Sequence, residues 1–484
     1  MAPQAVTAVD PVDARRLALL LVESVARAEP ALLELNAVEL GGSLEQQLFF
    51  ALRDGSDGGP PGLSHVLALG RAAAAGALGV AGPLRRAPVE AGGALALVRE
   101  PTHDAVLRGL ADELTTLGVG LATVRTGRAA RAPAPSGPPS ASLAGFVTPA
   151  AVARLWRMQA MLLARSANAT AGWPAIAGDA AAEGMRSVLV RELPRIALGA
   201  AALSGAVRAW RPRVLVAFDE IGTWARLLPA VARASGIPSL DLPHAEAADT
   251  AALRGAAYDR MAVYGPRAAQ VLREASIGEE RICQIGAPRF DPLVRVMADQ
   301  PPRAERRRIV LAAQYETGRM TRALLDATRR AAFDVALAVG PSELVVVPHP
   351  AGAGEPLPEA AAGVAVRLGE AGLHAELPGA WLMVTGWSNS VFEAAIAGVP
   401  ALTVSPPGVA PIDFAADGLA IAASDPASAA AAALRLLDPD AHRAAAEGAR
   451  AALVSRLGPI DGGATRRAAR LVQELIVGHP QSAT

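Results

Sequence analysis

Short aliphatic runs alternate with longer stretches of helical period along most of this chain. Near the start, Leu17, Leu20, Leu21 and Val25 form an apolar stripe, and residues 1–90 read as helices with Gly/Pro breaks and a loop at 54–62. From Ala94 the period changes. Residues 94–98 and 119–124 read as strands around a helix at 102–117, one β-α-β unit. Residues 128–142, rich in Pro, Ala, Gly and Ser, read as a flexible excursion, and helices follow from 149 to about 208. Alternation resumes with strands at 213–218, 237–242, 260–264 and 281–285 and helices at 223–235 and 266–275. Residues 292–308 read as a linker. A second alternation opens with a strand at 308–312, a helix at 321–338 and a strand at 344–347, and helices at 426–437, 441–457 and 464–476 close the chain. The pattern predicts an α/β protein: two Rossmann-like domains facing a cleft, at 91–296 (with a helical insertion) and 297–484, plus an appended helical region at 1–90. Ligands bind at the carboxyl ends of strands in such sheets.

The most informative stretch is 381–404. It reads as strand, small polar turn, short helix, Gly-Pro stop, strand. Ser388 or Ser390 can cap the helix and Gly398 can end it. A helix N-terminus at a strand's carboxyl end suits a phosphate. Glu393, one turn deeper, is placed to reach a ribose hydroxyl, and the combination suggests a nucleotide-sugar site, with Asn389 in its turn.

Other strand ends carry chemistry. Pro348 and Pro350 flank His349 and hold the backbone extended, aiming an imidazole into the cleft. Asp219 and Glu220 end another strand; one could be a general base, or either could cap the helix near Thr223. His244 and Glu246 follow a third. Arg289 closes the first domain and could face the cleft or pair with Asp291. Gln314 ends the first strand of the second domain, where a polar residue suits a diphosphate.

Composition narrows the chemistry. The chain has 484 residues, a net charge of zero and 52% hydrophobic content, much of it Ala. No basic face argues for nucleic acid. All 46 basic residues are Arg, so a Schiff-base lysine and a Gly-Lys-Ser/Thr phosphate cradle are excluded. The single Cys283 excludes an internal disulfide and a cysteine-rich metal site, and reads as a core thiol. Residues 17–22 are too short an apolar run for a signal peptide, and 66–82, interrupted by Arg71, is a poor membrane span. A cytoplasmic protein is expected, with peripheral contact at the inner face of a membrane compatible. Three rival motifs are set aside. Gly386-Trp-Ser388-Asn-Ser390 lacks the last Gly of a nucleophile elbow. Asp438-Pro-Asp440 follows a helix and reads as a turn, and Gly76, Gly79 and Gly82 have the wrong spacing for a dinucleotide loop.

The runs "GIPSLDLPHAEA", "YDRMAVYG" and "IGAPRFD" within 213–291, with "VVPHP" at His349 and "SNSVFEAAIAGVP" at Ser388, resemble GT-B-fold glycosyltransferases. The similarity is to bacterial capsule and surface-polysaccharide enzymes and CDP-glycerol glycerophosphotransferases, and spans roughly 92–476. It implies a nucleotide-sugar donor, a glycan or lipid-linked acceptor, and no cofactor or metal. It implies that His349, Pro350, Ser388 and Ser390 hold the nucleotide phosphates and Glu393 the ribose, with the base among Asp219, Glu220 and His244. Two departures stand out: His244-Ala245 replaces the usual His-Gly, and Ile221 separates the acids from Gly222. "HAEA" also resembles non-hydrolysing UDP-N-acetylglucosamine 2-epimerases of the same fold, although their His-Gly-Asp is absent. A non-catalytic relative of the same fold is the third reading.

Overall fold

A computed structural model describes residues 9–54, 92–131, 137–244, 246, 249–298, 307–316, 320–349, 364–410 and 412–479. The expected loop after Asp54, the apolar stretch at 66–82 with its three glycines, and Pro350 lie outside the described residues. The chain divides into two units: 1–288 with 465–484, and 289–464.

In the first unit, the two-residue strands β1 (Glu34–Leu35) and β2 (Val38–Glu39) form a small antiparallel ladder. The main sheet has seven strands: β3 (Ala94–Val98), β4 (Leu121–Arg125), β5 (Ser140–Ser142), β6 (Val214–Ala217), β7 (Ser239–Asp241), β8 (Arg260–Val263) and β9 (Ile282–Gln284). All its pairings are parallel, in the order β5-β4-β3-β6-β7-β8-β9. The central strands β3 and β6 are continuous apolar runs because both faces are covered. Alternation along β3 shows how. Leu95 and Leu97 enter a core shared with Leu21, Phe49 and Leu203 of the helices Pro11–Ala28, Gly41–Asp54 and Asp179–Trp210. Ala94, Ala96 and Val98 enter the opposite core, with Leu110, Ala468, Val472 and Leu475.

That second core moves the expected boundaries. The helix Ala464–Gly478 was assigned to a domain at 297–484, yet its Ala468, Val472 and Leu475 cover the first sheet. Arg213 donates to Ile476 O at 2.5 Å and Arg467 to Ile285 O at 2.7 Å. The described helices of the 1–90 region pack into the first unit's core. The expected linker at 292–308 begins instead as a helix, Asp291–Ala298.

In the second unit, six strands are all parallel: β10 (Arg307–Ala312), β11 (Ser342–Val347), β12 (Val364–Leu368), β13 (Leu382–Thr385), β14 (Ala401–Val404) and β15 (Ile421–Ala423). Their order is β12-β11-β10-β13-β14-β15. Ile309, Leu311, Leu344 and Leu382 pack under Ala332 and Val335 of the helix Arg322–Ala338 and Ala432 of the helix Pro426–Arg435. In both units the chain starts mid-sheet, runs outward, then crosses back to the other side of its first strand. That is the doubly wound, Rossmann-like order, and its reversal points lie at β3/β6 and β10/β13.

Candidate functional sites of the two units

In the first unit, the loops after β3, β6 and β7 meet at the reversal point. The residue after β6 is Phe218, fully buried, and then come Asp219 and Glu220. Asp219 is committed structurally on both oxygens. Oδ1 accepts from Gly222 N at 2.7 Å and Oδ2 takes an ion pair from Arg99, which follows β3. Its backbone is also held: the N–H donates to Asp241 Oδ1 at 3.1 Å, and the carbonyl accepts from the Tyr258 hydroxyl at 3.0 Å. Asp219 thus ties the turn before the helix Trp224–Ala234 and does not cap it: the N-cap residue is Thr223, with no side-chain cap hydrogen bond.

Glu220 differs. Its Oε2 is buried without a hydrogen bond and lies 3.7 Å from Nδ1 of His244, at ion-pair distance. Burial pushes the Glu220 carboxyl up, against the opposing pull of His244. Burial, then the charges of Glu220 and Asp219, push Asp241 well up. The His244 side chain is 35% exposed, and its ring lies 5.1 Å from that of His103. His103 accepts the Arg99 N–H at 3.5 Å through Nδ1 and lies 5.1 Å from the Phe218 ring. Burial, then His244, Arg99 and Arg125, lower its pKa to about 3. The cluster therefore holds two carboxyls biased toward the neutral form and one imidazole fixed neutral. Glu246 lies further along the loop after β7, half-buried.

The N-terminal helices grip this loop from behind. Gln46 Nε2 donates to Ile221 O and Gln47 to Thr223 Oγ1. Gln46 Oε1 accepts from Arg15 at 2.7 Å and Arg226 at 3.2 Å. Burial, then the charge of Arg15, lowers the Arg226 pKa to about 10.

In the second unit, the loops after β10 and β13 meet at the other reversal point. Thr385 Oγ1 donates to Ala312 O at 3.0 Å, and Gln314 Nε2 to Trp387 O at 3.3 Å. Gln314 Oε1 is buried without a hydrogen bond. A Cβ on Gly386 would meet that oxygen and Met320 Cε, the ends of two flexible side chains. The helix Ser390–Ile396 follows, with Asn389 at its N-cap and Gly398, at φ 64°, past its end.

The first-turn N–H groups are largely used internally. Ser390 N donates to Ser388 Oγ at 3.2 Å, Val391 N to Ser388 O at 3.1 Å and Phe392 N to Asn389 O at 3.0 Å. Ser388, one residue before the N-cap Asn389, thus takes the first N–H of the helix. The Ser390 hydroxyl is the open group, buried with no hydrogen-bond partner.

Glu393 is buried and already engaged. Its Oε1 lies 3.0 Å from His374 Nε2 and 3.4 Å from Arg289 Nη2. Arg289 belongs to this unit, not to the end of the first domain. His349 follows β11, with its ring 4.6 Å from that of Tyr315. Burial, then the Arg289 charge, lowers its pKa, which favours the neutral ring, an N–H donor.

Arg99, His103, Asp241 and His374 were not anticipated. Arg99 and His103 stand just past β3, a strand end like the others. Asp241 was legible as an acid inside an apolar strand. His374 follows β12, a strand unseen in the sequence, and carried no signal. A cavity of about 560 Å³ lies elsewhere, at the amino ends of the second sheet, lined by Arg307, Trp381 and His442. The strand-end chemistry is at the opposite edge, which is where doubly wound sheets bind ligands.

No protein-family model matches the chain, and no curated protein matches it. Solved structures do. The glycosyltransferase SnogD from Streptomyces nogalater is 19% identical over 80% of this chain and 100% of its own, with a TM-score of 0.46. A UDP-N-acetylglucosamine 2-epimerase is 13% identical over 81% and 98%, at 0.48. MurG of Acinetobacter baumannii is 13% identical over 79% and 99%, at 0.44. The α/β, Rossmann-like character of each unit stands on its own strand order and parallel pairing.

Proposed function

We propose that this chain is a GT-B-type glycosyltransferase that moves a sugar or polyol phosphate from a nucleotide-activated donor to a glycan or lipid-linked acceptor. The observation that carries this reading is the Ser390 hydroxyl, buried and unpaired at the reversal point of the second sheet. A buried polar group without a partner costs about 1–3 kcal/mol, and a ligand that accepts its hydrogen bond recovers that cost. A donor phosphate fits that role, with His349 as a neutral N–H donor and Arg289 supplying positive charge. Charge growing on the leaving phosphate in the transition state is what such donors stabilise. Gln314 and Asn389 would line the same place, and Glu393, with His374, would set the ribose pocket.

In the first unit, Asp219 serves the loop and His244 with Glu220 serves the proton. The imidazole takes the acceptor O–H proton, with the Glu220 carboxyl 3.7 Å from Nδ1 as its acidic neighbour. The acceptor oxygen then attacks the donor, and the nucleotide leaves with the electron pair. Incubation with UDP-, CMP- and CDP-activated sugars tests this: nucleotide release that falls in Ser390→Ala and His244→Ala supports it. Absence of turnover and of binding by all three would reject it.

The number of titratable groups around Glu220 and Asp241 also suits a 2-epimerase, which must remove and return a proton. UDP-N-acetylglucosamine supplied alone separates the two: an isomer forms only in the epimerase reading.

A further inference from the structure

The cavity at the amino ends of the second sheet has no part in the transferase reading. Its volume, about 560 Å³, is that of a site for a small molecule. Three parts of the second unit line it. Arg307 opens β10, and Trp381 stands just before β13. His442, Arg443, Glu447 and Arg450 share one face of the helix Pro439–Leu457. Leu437, just before that helix, adds apolar surface to that of Trp381. The lining is held by its own contacts. The Trp381 and His442 rings stack with centroids 5.5 Å apart, and His442 Nε2 lies 2.8 Å from Trp381 O. The Arg307 guanidinium sits 5.8 Å from the centre of the Trp381 ring. A site built in advance loses less freedom when a ligand arrives.

Charge selects the ligand. Glu447 is the one acid among the described lining residues, and Arg443 is already paired with Asp440. Arg307 and Arg450 form no ion pair among the described residues. Each donates to a backbone carbonyl, Arg307 to Val339 O at 3.2 Å and Arg450 to Ile396 O at 3.1 Å. A guanidinium has more donors than one carbonyl takes. Two such cations against one carboxylate favour an anion, and the indole and leucine favour an apolar body attached to it. A phosphate monoester meets both demands. It carries about 1.5–2 negative charges at neutral pH, and its oxygens match the guanidinium fork. We propose that this cavity binds a small phosphate monoester with an apolar body. The site lies at the opposite edge of the sheet from Ser390, so it goes beyond the transferase reading and does not depend on it.

Isothermal titration of the full-length protein with phenyl phosphate, inorganic phosphate and phenol tests the proposal. Phenyl phosphate should bind roughly tenfold more tightly than either of its halves, and salt should weaken it. Arg307→Gln should weaken it roughly tenfold through the lost charge-assisted hydrogen bond. Leu437→Glu sets a carboxylate against the ligand and should weaken it by a similar factor. The Leu437 side chain is 37% exposed, so this second variant keeps its fold even where the loss of Arg307 disturbs the sheet. Ser390→Ala should leave phenyl phosphate binding unchanged. No binding of phenyl phosphate at millimolar concentration, binding no tighter than that of inorganic phosphate, or binding indifferent to Leu437→Glu overturns the proposal. Binding that Ser390→Ala weakens would also overturn it, because the phosphate would then sit at the other edge, in support of the transferase reading.

Discussion

His103 offers a test of the first unit's cluster that needs no substrate. Its ring is 3% exposed, accepts a backbone N–H and precedes the positive end of the helix Asp104–Thr116. All three charged neighbours that act on it are cations or imidazoles, and its pKa falls to about 3. The ordinary value is about 6.5. A lowered pKa means the unfolded chain binds the proton first. The stabilising contribution is thus full above the unfolded value and is lost as pH falls toward the folded one. Between pH 7 and pH 4.5 the loss is about 2.5 kcal/mol. For a unit of about 300 residues, with ~2.1 cal/mol/K of unfolding entropy per residue, that is about 4 °C in melting temperature. His103→Gln removes the titration. Scanning calorimetry of both proteins across this range should show the wild type losing about 4 °C more than the variant. Parallel losses would refute the buried, neutral assignment.

Other consequences follow from the same geometry. Ser390→Ala should leave the ligand-free protein as stable or up to about 1 kcal/mol more stable, because it deletes a buried unpaired hydroxyl, while weakening nucleotide binding. Thermal melts with and without nucleotide separate the two effects. Gly205→Ala presses a Cβ onto the Phe146 carbonyl, a backbone group that cannot swing aside, and should cost about 1–3 kcal/mol in urea unfolding. Gln46→Ala takes an acceptor from two buried guanidinium groups, and a donor from Ile221 O. A loss of about 2–4 kcal/mol in urea unfolding is expected, where a surface amide would change less than 0.5.

Much of the fold was legible because the strands are buried on both faces. An aliphatic run such as Ala94–Val98 or Leu382–Thr385 reads as a strand buried on both faces of an α/β sheet, and both fall within the expected segments. The strands missed are edge or near-edge elements with little apolar character. Ser140–Ser142 looks like loop, Val364–Leu368 carries an exposed Ala365, and Ile421–Ala423 is three residues long. The last helix could not be assigned from its own pattern, because an amphipathic face does not say which sheet it covers. At the sites, strand-end polar residues could be picked out, but not their partners. Asp219 and Glu220 are adjacent in sequence and opposite in use: one is saturated by Arg99 and Gly222, the other stands against His244. That division depends on contacts across three strand ends, those of β3, β6 and β7. Glu393 was singled out, but its engagement by His374 and Arg289 depends on a strand and a helix with no readable signal.

The central claim is that the reversal point of the second sheet holds a nucleotide phosphate. Isothermal titration of the full-length wild type and of Ser390→Ala and His349→Ala with CMP, CDP and UDP tests it most directly. At least one nucleotide should bind the wild type at micromolar concentration, and each substitution should weaken it by roughly tenfold, the worth of one lost hydrogen bond. Wild-type protein that binds none of the three at millimolar concentration, or binding indifferent to both substitutions, would contradict the claim.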